Sequence, residues 1–353
     1  MKKTTLIVLF SMACTLLSAQ NADTMRNSEP QIDLKPKFRG TLRTRYEYDF
    51  NENLNRFAVR NARAAVSGNA NRWISYLVQV DLSDNGVFRV LDAEIQMKPT
   101  ENLTLIVGQT FVPFIQKHLL TPGQVMFANR AMINRYMSGA PRDIGVYANY
   151  RFGSENLPIH LTGAVFNGAG TNNPRWVEPK DLGYAFRLMF GSMDNFQLAF
   201  KTYNATDVDG VKNEIYGVDL RYANREWSDG FTLEAEIVGG NYKKFSWLEV
   251  FTDKKFGYYL QTGNVFKTGK QSINYIEPIA RWDMMRVKGI YISDANRLTL
   301  GTNFGFNPTY RKTELRLNYE KYFVNKNLAG LLFGANNTSW HDRIALELLL
   351  NFN

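Results

Sequence analysis

"KFRGTLRTRYEYDF", residues 37–50, is the stretch whose reading decides the fold. Taken with a period of two, it places Lys37, Arg39, Thr41, Arg43, Arg45, Glu47 and Asp49 on one face. The other face carries Phe38, Gly40, Leu42, Thr44, Tyr46, Tyr48 and Phe50. Side chains that alternate in this way lie on opposite faces of a β-strand. One face is basic and polar, the other aromatic and aliphatic, over a length greater than the five or six residues usual in soluble sheets.

The pattern recurs to the end of the chain. "VFRVLDAEIQMKP" sets Val87, Leu91, Ala93, Ile95 and Met97 against Asp92, Glu94, Gln96 and Lys98, with Arg89 on the apolar face. "DIGVYANYRF" sets Ile144, Val146, Ala148, Tyr150 and Phe152 against Asp143, Tyr147, Asn149 and Arg151. "RKTELRLNYEKY" sets Lys312, Glu314, Arg316, Asn318 and Glu320 against Leu315, Leu317 and Tyr319. "RIALELLLNF" sets Ile344, Leu346, Leu348, Leu350 and Phe352 against Arg343, Glu347 and Asn351. About sixteen such segments lie between residues 37 and 352, mostly ten to fourteen residues long, with turn residues between them. Tilted strands of that length cross a membrane hydrocarbon layer.

Composition agrees with strands. The 353 residues include 18 Tyr, 24 Phe and 26 Gly, types that favour strands and turns over helices. After the first twenty residues no uncharged apolar run approaches the length of a membrane-spanning helix. The opening "MKKTTLIVLFSMACTLLSAQ" has Lys2 and Lys3, an apolar run from Leu6 to Leu17, and small residues at Ser18 and Ala19. It reads as a secretory signal peptide over residues 1–19, cut after Ala19 or Gln20. The apolar run continues past Cys14, which argues against lipidation there. Cys14 is the only cysteine, so the mature chain can have no disulfide, thiolate nucleophile or cysteine-based zinc site. Residues 20–36 read as a flexible lead and 37–353 as the folded unit.

The 42 bases, less the two lysines of the signal segment, still exceed the 33 acids. This balance suits anionic partners, while export argues against nucleic acid. Magnitude settles which face of the first strand meets lipid. A base at the bilayer midplane costs roughly 2–4 kcal/mol. Lys37, Arg39, Arg43 and Arg45 cannot all sit at an interface on a spanning strand, so they face the interior. The expected fold is all-β, a transmembrane antiparallel barrel of about sixteen strands, wide enough to hold water. Wet interior bases contribute little to stability, so arginines of the first strand are expected to tolerate exchange for glutamine.

"FAVRNARAAVSGN", "LDAEIQMKP", "VGQTFVPF", "GAPRDIGVYANY" and "AVFNGAG" occur in this order and resemble the signature segments of the phosphate-selective porin O and P family. The resemblance is clear over residues 57–170 and continues as strand pattern to the C-terminus. It implies a sixteen-stranded barrel in the outer membrane of a Gram-negative bacterium, trimeric, conducting small solutes with a preference for anions, phosphate among them. Two departures stand out. The family's "RRAR" is here "RNAR", keeping Arg60 and Arg63 but replacing a base with Asn61, and the terminal aromatic Phe352 is followed by Asn353.

The stretch from Phe111 to Arg142 interrupts the strand pattern, and a connection this long is usually functional or disordered. The family resemblance implies that it folds inward and narrows the channel. It contains Lys117, His118, Arg130, Arg135 and Arg142 and no acid. The candidate channel-lining and anion-binding residues are therefore Lys37, Arg39, Arg43, Arg45, Arg60, Arg63, Lys117, Arg130, Arg135 and Arg142. The expected partners are outer-membrane lipid and small anionic solutes.

Two other classes stay open on sequence. A non-conducting structural barrel or adhesin would share the strand pattern. An outer-membrane enzyme would need a nucleophile, a base and an orienting group, and the chain offers only His118, His160 and His341, with no nucleophile-elbow, metalloprotease or phosphate-loop motif. The acids are scattered, and Asp207 and Asp209 in "DVDG" read as a turn, so neither metal nor cofactor is implied.

Overall fold

Alternating segments become neighbouring strands wherever the intervening residues let the chain reverse. The computed structural model describes residues 32–116, 119–121, 124–137, 141–192, 195–206, 210, 212–224, 230–245, 250–288, 292–324 and 340–352. The expected signal segment and most of the lead lie outside these residues, as do Asp207, Asp209, Lys117 and His118.

The strands are β1 (Lys37–Asp49), β2 (Leu54–Asn69), β3 (Ile74–Asp84), β4 (Val87–Met97), β5 (Leu103–Phe111), β6 (Arg142–Gly153), β7 (Pro158–Phe166), β8 (Gly183–Gly191) and β9 (Phe196–Thr206). They continue as β10 (Lys212–Asn224), β11 (Phe231–Phe245), β12 (Val250–Asn264), β13 (Phe266–Lys267), β14 (Tyr275–Lys288), β15 (Ile292–Gly305), β16 (Thr313–Val324) and β17 (Arg343–Phe352). Each pairs antiparallel with its neighbours, and β1 pairs with both β2 and β17. The sheet is thus closed and has no free edge. β13 is a two-residue continuation of β12 against β14, which leaves sixteen full strands, as the periodicity predicts.

The β3–β4 hairpin shows how the sequence specifies a reversal. Asn85 and Gly86 have φ of 53° and 87°, the left-handed pair of a tight two-residue turn whose twist matches the flanking strands.

Burial follows the period of two. Leu42, Val146, Leu317 and Leu348 point outward, Leu348 with 47% of its surface exposed, whereas Glu314, Arg316, Glu320 and Glu347 point inward and are buried. Exposed aromatics cluster towards both rims. Phe57, Phe88 and Phe323 lie near the rim of connection 50–53, and Phe38, Phe152, Phe196 and Phe352 near the opposite rim. An apolar band with aromatic girdles is the outer surface of a membrane barrel. Among the described residues no helix is long and apolar enough to cross a membrane.

The interior departs from the expected water-filled wall. The connection between β5 and β6 enters the barrel and carries a four-residue helix, α1 (Ile133–Tyr136). Its Val112, Phe114, Ile115, Met132, Ile133 and Met137 form an apolar core with Phe166, Tyr203, Ile215, Tyr259 and Met285 of the inner wall. Small residues make the room. A Cβ on Gly257 of β12 would lie 2.7 Å from Ile133 Cγ2, and one on Gly263 would lie 3.0 Å from Met126 Sδ. Glycine within a strand here marks close approach by another segment.

Cysteine labelling checks the two faces. Leu42→Cys and Leu348→Cys are expected to react only with membrane-soluble reagents in proteoliposomes, and Asn149→Cys with a water-soluble maleimide. Equal water-soluble labelling of all three would contradict the barrel's orientation of faces.

Candidate pore constriction

An irregular segment inside a barrel lacks the ladder that satisfies a strand, so its N–H and C=O groups need other partners. The inner wall supplies them by charge type. Loop carbonyls accept from arginines: Ala128 O from Arg43 Nη2 and Arg45 Nη2, both at 2.6 Å, Asn129 O from Arg281 Nη1 at 2.9 Å, Arg130 O from Arg297 Nη2 at 2.8 Å, and Val125 O from Arg311 Nη1 at 3.0 Å. Loop amides donate to acids and amide oxygens: Gln116 N–H to Glu236 Oε1 at 3.0 Å, Ala128 N–H to Asn318 Oδ1 at 2.7 Å, and Met132 N–H to Asp283 Oδ1 at 2.9 Å.

These wall charges are paired among themselves. Glu347 Oε2 accepts from Arg43 Nη2 at 2.7 Å and Arg45 Nη2 at 2.6 Å, and Arg316 Nη1 lies 3.4 Å from Glu347 Oε1. Asp283 pairs with Arg281 and Arg297, and Arg297 also reaches Glu320 at 3.2 Å. Arg311 has a left-handed φ of 58°, an uncommon conformation for a non-glycine residue, and Glu277 holds its guanidinium at 3.0 and 3.1 Å.

The first strand therefore differs from its expected role. Arg43 and Arg45, only 4% and 5% exposed, are covered by the loop and paired with Glu347, Arg45 also with Glu47, instead of standing wet in a channel. The expectation that they can be exchanged freely fails for the same reason, since each holds both an ion pair and a loop carbonyl. Lys37 and Arg39 are exposed at the rim where β1 begins and β17 ends.

Arg60 and Arg63 lie on the adjacent strand β2, and Arg142 at the start of β6. Arg60 pairs with Asp84, Arg63 Nε with Asp81 Oδ2 at 2.9 Å, and Arg142 grips Asp92 through two bonds of 2.7 and 3.0 Å. Asn61, which stands where the family pattern has a base, accepts from Arg43 Nη1 at 3.0 Å and donates to Asp81 Oδ2 at 2.6 Å. It links the loop-holding arginines to the Arg63 pair.

Arg130 differs from all of these. Among the described residues it has no carboxylate partner, its Nη2 donates to Leu120 O at 2.9 Å, and its Nη1 is buried without a hydrogen-bond partner. Burial, followed by the positive charges of Arg63, Arg43, Arg142 and Arg60, pushes its guanidinium well below its ordinary pKa. Arg135 lies on α1, and its side chain, like all of Lys117, is outside the described residues.

A sixteen-strand barrel with an inward loop and a cluster of paired arginines beside it narrows the identity. The family profile described as phosphate-selective porin O and P matches residues 38–231, more than half the chain. The chain belongs to this family. It is an outer-membrane porin of a Gram-negative bacterium, and the family is one of channels, not enzymes. Its fold is similar to OmpT of Vibrio cholerae in trimer form, at 11% identity over 90% of this chain and 99% of that one, with a TM-score of 0.61. Similar too are the DcaP channel of Acinetobacter baumannii, at 13% identity over 90% and 97% with a TM-score of 0.61, and an anion-selective porin from Comamonas acidovorans, at 12% over 90% and 99% with a TM-score of 0.61. No curated protein matches the sequence.

Sequence reading of this porin placed Glu236 in the lumen but gave no loop-holding role to Glu236, Asp283 or Asn318, nor to Glu347, which holds the loop-binding Arg43 and Arg45. Their signal was present as polar residues on inner faces, but their target is a segment distant in sequence.

Two substitutions check the loop anchorage. Glu347→Gln leaves Arg43, Arg45 and Arg316 without their shared anion, a loss of about 3–5 kcal/mol for a broken buried pair. It should lower the temperature at which the folded band converts on semi-native gels. Gly257→Val overpacks against Ile133 at a cost of about 1–3 kcal/mol and should raise single-channel conductance as the loop is pushed off the wall.

Proposed function

We propose that this porin is a passive diffusion channel with a modest preference for anions, set where Arg130 of the inward loop faces Arg60, Arg63 and Arg142. The observation that carries the reading is Arg130 itself. Arg60, Arg63 and Arg142 are each balanced by Asp84, Asp81 or Asp92, so their net field is small. Among the described residues Arg130 has no acid partner, and its Nη1 is a buried donor without a hydrogen-bond partner; an anion beside it supplies that partner and favours the charged guanidinium that burial and the neighbouring arginines disfavour. In a low-dielectric wall such a charge raises the local anion concentration. One uncompensated base, on a wall that also carries Glu94, supports a modest preference, and a site of this kind must bind weakly enough to release its solute.

Lys37 and Arg39 add positive charge at the rim where β1 begins and β17 ends, and Lys117 and Arg135 belong to the same acid-free loop. Phosphate is one of the small anions that fit. Residues 1–19 serve as the export signal, residues 20–36 as a lead, lipid surrounds the apolar band, and three copies assemble as in the trimer form of the Vibrio OmpT channel.

Reversal potentials across a KCl gradient test the reading. The wild-type channel should favour chloride at low salt, and the preference should shrink as the Debye length falls from about 10 Å at 0.1 M to about 3 Å at 1 M. Arg130→Gln should move the reversal potential towards the cation side, and Arg130→Lys should retain most of the preference. A wild-type preference for potassium, or an unchanged potential in Arg130→Gln, would refute it.

A further inference from the structure

The inner wall from β5 to β8 differs from the rest of the interior. Many inward positions of β1, β2 and β14 to β17 carry ion pairs, whereas here the loop and the strands bound a cleft of about 280 Å³, at the small end of ligand-sized sites. Its apolar surface comes from Ile106 of β5, Phe111 at the loop's start, Leu119 of the loop and Met189 of β8. All four are partly exposed, and Ile106 and Met189 lie on the strands, Ile106 beside Val107, which points to lipid. Asn149 and His160 add polar groups. The one strong base in the lining, Arg187, is already held by both oxygens of Asp219, at 2.6 and 2.7 Å.

Phe111 joins this cleft to the arginine cluster. The guanidinium of Arg142 lies 3.6 Å from the centre of the Phe111 ring, and Arg142 is one of the charges that act on Arg130. The interior thus places a positive cluster beside a stripe of water-facing apolar side chains. Inorganic phosphate has nothing to place against that stripe. A solute with an anionic head and a flat apolar body can use both, since each square ångström of apolar surface removed from water contributes roughly 25 cal/mol.

We propose that the preferred solutes of this channel are small aromatic carboxylates, the carboxylate drawn to the Arg130 cluster and the ring lying along Ile106, Phe111, Leu119 and Met189. This rests on the anion-preferring reading above and adds the solute class.

Chloride current through single channels, measured with benzoate, acetate or phosphate added, tests the assignment. Benzoate should reduce the current at a concentration about tenfold below that needed for acetate, the gain expected from covering part of one ring. Leu119→Asn and Met189→Gln, on opposite sides of the cleft, should each bring the benzoate-to-acetate ratio towards one. A ratio near one in the wild-type channel, a ratio unmoved in both variants, or stronger block by phosphate than by benzoate would overturn the proposal. Chloride preference without any organic acid is read separately from the KCl reversal potential. A chloride-preferring channel with a benzoate ratio of one defeats the aromatic-carboxylate assignment alone, whereas a potassium-preferring channel defeats the anion reading beneath it.

Discussion

The Glu347 carboxylate is the contact on which much of the interior depends. It lies on the last strand, pairs with Arg43 and Arg45 of the first, and is joined by Arg316 of the strand between β15 and β17. The same two first-strand arginines reach onward to the carbonyl of Ala128. One buried anion therefore ties the closure of the barrel to the placement of its inward loop. Without it, Arg43 would lose its carboxylate while Arg45 kept Glu47 and Arg316 kept Glu314, and the Ala128 carbonyl that Arg43 and Arg45 hold would be the loop contact weakened.

The loop makes this arrangement necessary. A segment with no ladder of its own must find partners for its backbone, and the wall offers arginines to its carbonyls and acids or amides to its N–H groups. Mixed charge on the inner wall thus has a structural use before any solute arrives. Many interior bases are paired with acids of the wall, several of them while holding the loop. Arg130, on the loop, finds no carboxylate partner among the described residues.

Packing adds a second layer. Gly257 and Gly263 leave space on β12 for Ile133 and Met126, and the apolar side chains of the loop then form a core inside the barrel instead of a polar lining. The open space left beyond the loop, along β5 to β8, inherits apolar walls from both sides.

What the amino-acid sequence determined by itself was the barrel. Period-two alternation assigns Leu348 to lipid and Glu347 to the interior by local stereochemistry alone, the Asn85-Gly86 pair encodes a hairpin, and the spacing of such segments counts the strands. The inward loop was legible as an interruption of the pattern, and its narrowing role through family resemblance. The fate of each interior charge was not legible. Arg43 and Glu347 are 304 residues apart, and no local rule says that the two meet, or that Ala128 lies between them and water. Alternation specifies a direction, inward or outward, because it is a property of one strand. Whether an inward base is wet, paired or holding a loop depends on what closes around it, and only the tertiary structure decided that Arg43 and Arg45 are anchors while Arg130 meets no carboxylate among the described residues.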